Sequence, residues 1–304
     1  MGTIEASIII PTKNGEAWLE KCLGAVYAQQ GVGSVEVLLV DSGSTDRTLE
    51  IARRHAARIE AIRPEEFHHA RTRNYGASLA RGRYLVFLSQ DAIPSSNTWL
   101  AAMLRNFHDA DVAAVYGRQL PAAGSTNERH DALGTMYGSE RCVKEASSRA
   151  RLGYKYYHFS DANAAVRRDI WESTRFPEEL KVFEDLGIAK RILDAGWKIV
   201  YEPDASVIHS HNHTTMQLFR RYFDIGFTFR RLGIWNQGTR TSMLAEIAKL
   251  VKRKLQPSAS KTSRAAATGL KNDVAKSAGF WLGVHEQYFP VAIKRFFSAH
   301  QVFQ

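Results

Sequence analysis

The chain of 304 residues is 44% hydrophobic, 11% aromatic and 24% charged, which is the composition of a globular protein with one large or two modest domains. Its only cysteines, Cys22 and Cys142, have no metal-type spacing and form no disulfide framework, so they favour a reducing, cytoplasmic compartment. No apolar stretch of the sequence reaches the length of a membrane span, and the first residues enter a strand-like run, from which we expect no signal peptide.

The net charge of +10 is unevenly distributed along the sequence. Residues 1–214 contain 26 Lys and Arg against 27 Asp and Glu, whereas residues 215–304 contain 15 against 4, a balance of +11. We therefore expect a domain over residues 1–214 and a basic C-terminal region over residues 215–304. Such a region suits an anionic partner, either a membrane surface or a nucleic acid.

Strand and helix patterns alternate along the first part of the chain. Short apolar runs predict strands at 6–10, 35–40, 57–62, 84–88 and 112–116. Apolar residues spaced three and four apart predict helices at 16–30, 47–55, 71–81 and 98–108. This alternation implies right-handed crossovers, so the expected fold is α/β and Rossmann-like, with a mostly parallel sheet flanked by helices.

The order is looser further along. Residues 117–153 are polar and helix-leaning, which indicates an excursion from the sheet. A helix is predicted from 182–185 to about 196, followed by two short strands at 198–201 and 205–208. From residue 215 the pattern is helical, apart from a linker rich in Ser, Ala, Thr and Lys at about 257–268.

The strand predicted at residues 84–88 is the most apolar of the series, and Asp91 follows it directly. Pro94 has no N–H group for a sheet ladder, so the strand should end before it. In open α/β sheets, ligands bind at the carboxyl ends of the strands. Asp91 is therefore a candidate ligand-binding residue, with capping of the next helix as the alternative.

Four polar segments are predicted at this same edge of the sheet: residues 12–16, 41–46, 71–74 and 89–91. An α/β fold builds a nucleotide site in this way. Neither a G-x-G-x-x-G nor a G-x-x-x-x-G-K-[ST] loop follows the first strand. A phosphate group at this edge would therefore need a metal ion and arginines.

Several motifs together resemble the inverting family 2 glycosyltransferases of the GT-A fold. They are Ile9-Ile10-Pro11-Thr12-Lys13-Asn14-Gly15, Val40-Asp41-Ser42-Gly43-Ser44-Thr45-Asp46, Arg73-Asn74, Ala80-Arg81-Gly82-Arg83-Tyr84, Phe183-Glu184-Asp185 and Gly196-Trp197-Lys198. Each is weak alone, but their order and spacing are specific. The resemblance covers about residues 5–215, two thirds of the chain.

The resemblance implies residues for the nucleotide. Thr12, Asn14 and Glu16 would line the base and ribose pocket. Asp41 would accept a hydrogen bond from a pyrimidine N–H group, and Arg73 would lie near the base or the diphosphate.

The resemblance also implies a divalent metal ion, Mg²⁺ or Mn²⁺, bridged by Asp91 to the donor diphosphate. His209, His211 and His213 follow a strand-like run, and one of them would be a further metal ligand. His209 is the first choice, and the alternative is three surface histidines.

For the transfer step, the resemblance implies that Asp185 is the general base that deprotonates the acceptor hydroxyl group. Glu184, Asp161 and Asn163 would contact the acceptor. The structural alternatives are first-turn charges favoured by the helix dipole for Glu184 and Asp185, and an Asx turn for Asp161.

One departure from the family pattern narrows the choice of sugar donor. The usual Asp-x-Asp after the central strand is Ser89-Gln90-Asp91 in this chain. With the preceding His68-His69-Ala70-Arg71 run, this segment resembles the rhamnosyltransferase branch, which uses dTDP-L-rhamnose in building bacterial surface polysaccharide such as O-antigen. Ser89 and Gln90 would then contact the nucleotide sugar, with Ser89 beside a deoxyribose. The missing carboxylate leaves metal dependence open.

The C-terminal region mixes aromatic and basic residues, at 216–232, 280–282 and 289–297. Amphipathic helices of this kind suit a peripheral position on an anionic membrane and a lipid-linked acceptor. The alternative is that their apolar faces pack on the catalytic domain and their charges are solvated. Three other functions remain open. They are transfer from a UDP- or GDP-sugar, a nucleotidyltransferase, and nucleic-acid binding, which no binding motif supports.

Overall fold

The computed structural model describes residues 3–125, 133–134, 136–209, 213–235, 263–300 and 302–303. The chain forms two compact units. The first comprises residues 1–179 and 184–210, and the second comprises residues 180–183 and 211–304. The boundary expected after residue 214 lies close to this division, but the short segment 180–183 belongs to the second unit.

The first unit is built from strands and helices in alternation. Its strands are β1 (Ala6–Thr12), β2 (Val35–Asp41), β3 (Arg58–Ala61), β4 (Tyr84–Leu88), β5 (Ile93–Pro94), β6 (Val112–Leu120), β7 (Cys142–Lys144), β8 (Asn163–Arg167) and β9 (Lys198–Ile208). Its helices are α1 (Leu19–Tyr27), α2 (Thr48–Arg54), α3 (His69–Leu79), α4 (Trp99–Leu104), α5 (Arg149–Leu152), α6 (Arg168–Thr174) and α7 (Glu184–Asp194). Short 3-10 turns lie at 64–66, 105–108, 146–148 and 153–157.

One sheet unites these strands in the order β3-β2-β1-β4-β8-β6-β9-β5, with β7 paired to β9. The first four strands are parallel, as the alternating pattern predicts. β8 lies antiparallel between β4 and β6, and β6 and β9 are parallel to each other. The sheet is therefore parallel in its first half and mixed in its second half.

The core lies on both faces of β1 and β4. Ile8, Ile9 and Ile10 are fully buried, as are Val86 and Phe87. Burial of consecutive residues on a strand requires cover on both faces, which α helices provide in an α/β fold. The continuous apolar run of β4 therefore sits in the centre of the sheet, as predicted.

The second half of the sheet differs from the sequence prediction at five strands. β5 and β7 were not predicted, and β7 lies within residues 117–153, which were expected to be helix-leaning. β6 continues to Leu120, β8 and α6 were not predicted, and β9 is one strand where the sequence suggested two. Pro203 is the reason that the sequence suggested two strands where the structure has β9. The pairing of β6 with β9 changes register between Gly117 and Gln119, opposite this proline. A Cβ atom on Gly117 would lie 1.8 Å from the Ala205 carbonyl oxygen, so the bulge requires glycine.

The second unit is helical in its described part, as predicted. Its helices are α8 (Thr215–Arg231), α9 (Ser263–Val284) and α10 (Val291–Phe297). α8 and α9 pack closely, because Gly279 and Gly283 lie against the carbonyl oxygens of Phe219 and Phe223. No helix among the described residues combines the length and the apolar character needed to cross a bilayer. Most of the predicted linker at 257–268 lies outside the described residues.

Candidate active site

The loops after β1 and β2 are tied together at the carboxyl edge of the sheet. Asn14 accepts a hydrogen bond from the Thr45 amide at 2.9 Å, and its own amide donates to the Ser44 hydroxyl at 2.9 Å. Glu16 accepts from the Arg47 amide at 2.9 Å. Asn14 adopts a left-handed backbone, with φ of 46°, a conformation that asparagine tolerates better than most residues. The two loops therefore form one rigid ledge, which we call the loop ledge (residues 12–16 and 41–48).

Asp41 is used inside this ledge. It is 1% exposed, and its Oδ2 atom accepts hydrogen bonds from the Gly43 and Ser44 amides, both at 2.9 Å. Its Oδ1 atom accepts from the hydroxyl groups of Ser44 and Thr12. Thr12 is itself only 3% exposed. The predicted hydrogen bond from Asp41 to a pyrimidine ring is therefore not available in this arrangement, because the carboxylate closes its own loop.

Gln90 joins the loop after β4 to the ledge. Its side chain accepts from the Lys13 amide and donates to the Lys13 carbonyl oxygen, both at 3.0 Å. The Ser89 amide donates to the Ala162 carbonyl oxygen at 3.1 Å, which leaves the partly exposed Ser89 hydroxyl at the edge of the sheet. The sequence correctly places these three loops together, and Gln90 supplies the contact.

Asp91 and His209 meet at this edge. The Asp91 Oδ1 atom lies 3.4 Å from His209 Nε2, and the side chains are 21% and 12% exposed. The other ring nitrogen of His209 is 3.0 Å from the amide oxygen of Gln119. The structure places His209 beside Asp91, whereas His211 lies outside the described residues. The choice of His209 as the metal ligand stays a prediction.

This pair has the donor set of a divalent-metal site. Carboxylate oxygen and imidazole nitrogen both bind Mn²⁺ and related ions. With ligand distances of about 2.1 Å, neighbouring ligands of one ion lie about 3 Å apart, close to the observed separation. In the described part of the chain, no group of three or more His, Cys, Asp or Glu side chains surrounds a metal position. An ion here would take its remaining ligands from water and from phosphate oxygens, which suits Mg²⁺ or Mn²⁺.

Arg73 does not face the nucleotide edge. Its guanidinium group is 9% exposed and lies 2.8 Å from Asp161 and 3.0 Å from Glu184. The contact with Glu184 is an aligned hydrogen bond, whereas the contact with Asp161 is an ion pair without hydrogen-bond geometry. The three side chains are buried against one another in this structure. The roles of Arg73 at the base or diphosphate, and of Asp161 and Glu184 at the acceptor, stay predictions.

This buried cluster holds two carboxyl groups around one cation. Burial raises the pKa of Asp161, although Arg73 and a hydrogen bond from Glu184 act against it. Burial and the neighbouring Asp161 charge raise the pKa of Glu184 well above its usual range. Burial alone would lower the pKa of Arg73, but the charges of Asp161 and Glu184 raise it overall. Glu184 is therefore the carboxyl group of this cluster that most readily carries a proton.

Asn163 is also structural. It is fully buried, donates to the Ala205 carbonyl oxygen at 2.8 Å and accepts from the Trp99 indole at 2.8 Å. It joins β8 to β9 and α4. The predicted acceptor contact of Asn163 stays a prediction, and in this structure its side chain is bound to internal partners.

Asp185 is the second residue of α7 and lies next to the buried cluster. It is partly exposed, unlike Glu184, which is 4% exposed. Its negative charge contributes to the raised pKa values of Arg73 and Glu184, so it lies close to both. The residue before α7, Phe183, has φ of 58°, a strained backbone for an aromatic residue. Such strain, typically about 1–3 kcal/mol, is common where a functional side chain is held in place.

The structure reveals buried polar residues that the sequence did not indicate. Gln119 and Ser160 contact each other, at 2.8 Å, beside His209. Lys144 is 3% exposed and donates to the His158 carbonyl oxygen, and burial lowers the pKa of Lys144 to about 7. The sequence did not indicate Gln119, because the predicted strand ended at residue 116 and Gln119 lies beyond it. No local pattern identifies such partners.

An open cavity of about 770 Å³ lies elsewhere on the first unit, near Tyr84, Arg105 and Asp204. None of the predicted site residues lines it. Arg105 is paired with Asp204 and Glu202. The loop ledge and the Asp91–His209 pair lie instead at the carboxyl edge of the sheet, where α/β folds bind ligands.

Comparison with known proteins assigns this fold to a class of enzymes. Residues 7–174 match glycosyl transferase family 2. The chain belongs to this family and is a hexosyltransferase, which confirms the predicted enzyme class.

The O-antigen chain rhamnosyltransferase WbaN of Salmonella anatum is 36% identical, over 97% of this chain and 94% of its own length. RfbN of Salmonella typhimurium, an O-antigen chain rhamnosyltransferase, is 32% identical over 98% of this chain and 95% of its own.

Solved structures confirm the predicted GT-A fold. The mannosyltransferase PcManGT of Pyrobaculum calidifontis, in complex with GDP-Man and Mn²⁺, has a TM-score of 0.65 at 20% identity, over 94% of this chain and 87% of its own. TarS 1–349 of S. aureus, in complex with UDP-GlcNAc, has a TM-score of 0.54 at 15% identity, over 94% and 92% of the two chains. At such identities the likeness concerns the fold.

Proposed function

We propose that this enzyme transfers L-rhamnose from dTDP-L-rhamnose to a saccharide acceptor, with inversion, in the synthesis of bacterial O-antigen. The observation that carries the proposal is the similarity of nearly the whole chain to O-antigen chain rhamnosyltransferases. Ser89, in place of the usual carboxylate, agrees with a deoxyribose-containing donor. Family membership decides against a nucleotidyltransferase or a nucleic-acid-binding protein.

Donor binding rests on the loop ledge and the Asp91–His209 pair. Asp91 and His209 would hold Mg²⁺ or Mn²⁺, which supplies positive charge to the diphosphate as it leaves the sugar. The ledge would hold the nucleoside, with Asn14 and Glu16 fixing its shape and Gln90 joining it to the loop of Asp91. Rigid elements of this kind favour transfer by holding the donor in a reactive orientation.

Asp185 would take the proton from the acceptor hydroxyl group. An inverting transfer needs one base and no covalent sugar intermediate on the protein. Asp185 is partly exposed, whereas Glu184 and Asp161 are buried with Arg73. Among the three carboxyl groups of this region, Asp185 is therefore the one that an acceptor reaches most readily.

The second unit would contact an anionic membrane that carries a lipid-linked acceptor. The aromatic face of α8 is not available for this, because Phe223 and Phe229 are buried and contact Phe297 and Phe280. The exposed apolar side chains lie instead around α10, where Tyr288 is 75% and Phe296 59% exposed. We call residues 288–296 the exposed apolar segment. The balance of +11 over residues 215–304 provides complementary charge.

The donor is tested by measuring nucleotide release and sugar transfer with dTDP-rhamnose, UDP-sugars and GDP-sugars, each with Mn²⁺, Mg²⁺ or chelator. We expect turnover with dTDP-rhamnose, its loss with chelator, and its loss in Asp91→Ala. Asp111→Ala, whose side chain is 67% exposed, is the matched control and should retain activity. A clear preference for a UDP- or GDP-sugar would leave a family 2 transferase of another donor class, and full activity of Asp91→Ala would remove the metal assignment.

A further inference from the structure

Gln119 is bound at both ends of its side-chain amide. Its oxygen lies 3.0 Å from His209 Nδ1, and its nitrogen donates to the Ser160 hydroxyl at 2.8 Å. The residue is 6% exposed. In the structure the amide oxygen faces His209 and the amide nitrogen faces Ser160, so each end of this buried amide has a partner.

The Gln119 contact has a consequence for the protonation of His209. An amide oxygen only accepts hydrogen bonds, so the His209 Nδ1 atom must carry a proton. In the neutral ring, the Nε2 atom then carries a lone pair in place of a proton. This atom is the one that lies 3.4 Å from the Asp91 carboxylate. The Nε2 lone pair and the Asp91 carboxylate are both acceptors, and two acceptors that face each other at 3.4 Å favour a cation between them.

The backbone holds this arrangement in place. The His209 amide donates to the Leu120 carbonyl oxygen at 2.9 Å, so the two chain segments run side by side. The register change after Gly117 sets which residue of β6 follows the bulge, and a bulge is a common means of aiming a side chain at a site. Gln119 is thus presented to His209 by the sheet itself.

We propose that Gln119 is a positioning residue, which holds His209 in the Nδ1–H tautomer so that Nε2 faces Asp91 and the metal ion. The inference rests on the proposed metal site and adds the residue that orients one of its ligands. Partners of metal-bound histidines commonly act in this way, and their loss typically lowers metal affinity by about 10–100-fold. Ser160 accepts a hydrogen bond from the other end of the amide.

The tautomer is measured directly in the full-length protein without metal. Histidine labelled with ¹⁵N reports the protonated ring nitrogen through long-range ¹H–¹⁵N correlations at a pH of about 8, above the usual histidine pKa of about 6.5. The signal of His209 is assigned as the one missing from His209→Gln. We expect the Nδ1–H tautomer in the wild type.

Two substitutions at the same position separate hydrogen bonding from packing. Gln119→Leu keeps much of the side-chain volume and removes the acceptor, so the His209 signal should move toward the Nε2–H tautomer. Gln119→Glu keeps an acceptor for Nδ1–H, and the Ser160 hydroxyl can donate to its carboxylate, so it should retain the wild-type tautomer. Thermal unfolding identifies any variant that fails to fold.

Metal affinity gives the second readout. Titration of Mn²⁺ into each protein with dTDP, followed by the electron paramagnetic resonance signal of free Mn²⁺, should show binding weakened about 10–100-fold in Gln119→Leu and largely restored in Gln119→Glu. Ser160→Ala removes the support at the other end of the amide and should weaken binding less than Gln119→Leu.

The outcomes distinguish this inference from the proposed function. An Nε2–H tautomer in the wild type, or Mn²⁺ binding equal in wild type and Gln119→Leu, would overturn the role of Gln119 while leaving the metal site intact. If wild-type protein with dTDP binds no Mn²⁺, the proposed metal site fails, whatever the tautomer of His209.

Discussion

Adjacent residues in this site have opposite environments, as Glu184 and Asp185 show. Glu184 is 4% exposed and paired with Arg73, and burial together with the Asp161 charge raises its pKa well above the usual range. Asp185 is partly exposed at the first turn of α7. Consecutive helical residues diverge by about 100°, so one carboxyl group faces the core and the other faces the site edge.

The catalytic base can therefore be tested with two isosteric substitutions. Asp185→Asn removes the base and should lower the transfer rate by about 10²–10⁴-fold, the usual contribution of general-base catalysis, while donor affinity changes by no more than a few-fold. Glu184→Gln resembles the protonated form that burial favours, so its rate should stay much closer to wild type. The measurements are steady-state transfer rates and calorimetric donor binding.

The reverse pattern, with Glu184→Gln inactive and Asp185→Asn active, would place the base one residue earlier. If both variants keep wild-type rates, the start of α7 is structural. Arg73→Lys offers a check on the cluster itself, because lysine cannot contact Asp161 and Glu184 with the two separate nitrogen atoms that Arg73 uses.

At the scale of elements, the helix pair of the second unit depends on glycine. A Cβ atom on Gly283 would lie 2.0 Å from the Phe223 carbonyl oxygen, and one on Gly226 would lie 2.1 Å from the Phe280 carbonyl oxygen. Backbone atoms cannot swing aside as side chains do. α8 and α9 are therefore held at a distance that only glycine permits at these positions.

Gly283→Ala should destabilise the protein by about 1–3 kcal/mol, the usual cost of inserting a methyl group into a packed contact, or separate the two helices. Gly24→Ala is the matched control. Gly24 lies within α1 with no atom within 4 Å of its added Cβ, so alanine should be neutral or stabilising by up to about 1 kcal/mol. Denaturant unfolding followed by circular dichroism compares the two. Equal stability of both variants would show that the helices are not closely packed.

At the scale of the whole molecule, charge and exposed apolar surface coincide in the C-terminal part of the chain. Residues 215–304 have a balance of +11, and Val291, Ile293 and Phe296 of α10 are exposed. Arg220 lies against the Phe296 ring, with its guanidinium carbon 5.2 Å from the ring centroid. Basic and aromatic side chains together favour the surface of an anionic bilayer.

Flotation with liposomes tests this surface. The protein should float with anionic vesicles at low salt and less at high salt, since each well-placed Lys or Arg contributes about 1 kcal/mol that ions screen. Phe296→Ser with Tyr288→Ser should reduce flotation. Tyr75→Ser, which removes a 39% exposed aromatic side chain from the first unit, is the control and should float as wild type. Absence of flotation at both salt concentrations would contradict the membrane contact.

The sequence by itself determined the first half of the fold and the edge at which the site lies. β1 contains three consecutive isoleucines and β4 is apolar throughout, a pattern typical of strands covered on both faces. Because the carboxyl ends of parallel strands meet at one edge, the loops after β1, β2 and β4 could be placed together before their contacts were known. Asp91 was a candidate from its position after β4, whereas the family resemblance made His209 the first choice among three histidines, and the role of both in metal binding stays a prediction.

Only the tertiary structure decided which polar side chains face the site and which are buried. Arg73 pairs with Glu184 across 111 residues, and Gln119 meets His209 across 90. Contacts between residues so distant in the chain depend on how β8 inserts antiparallel beside β4, which a five-residue strand does not reveal in its sequence. The same carboxylate or arginine can bind a ligand or an internal partner, and packing alone determines which.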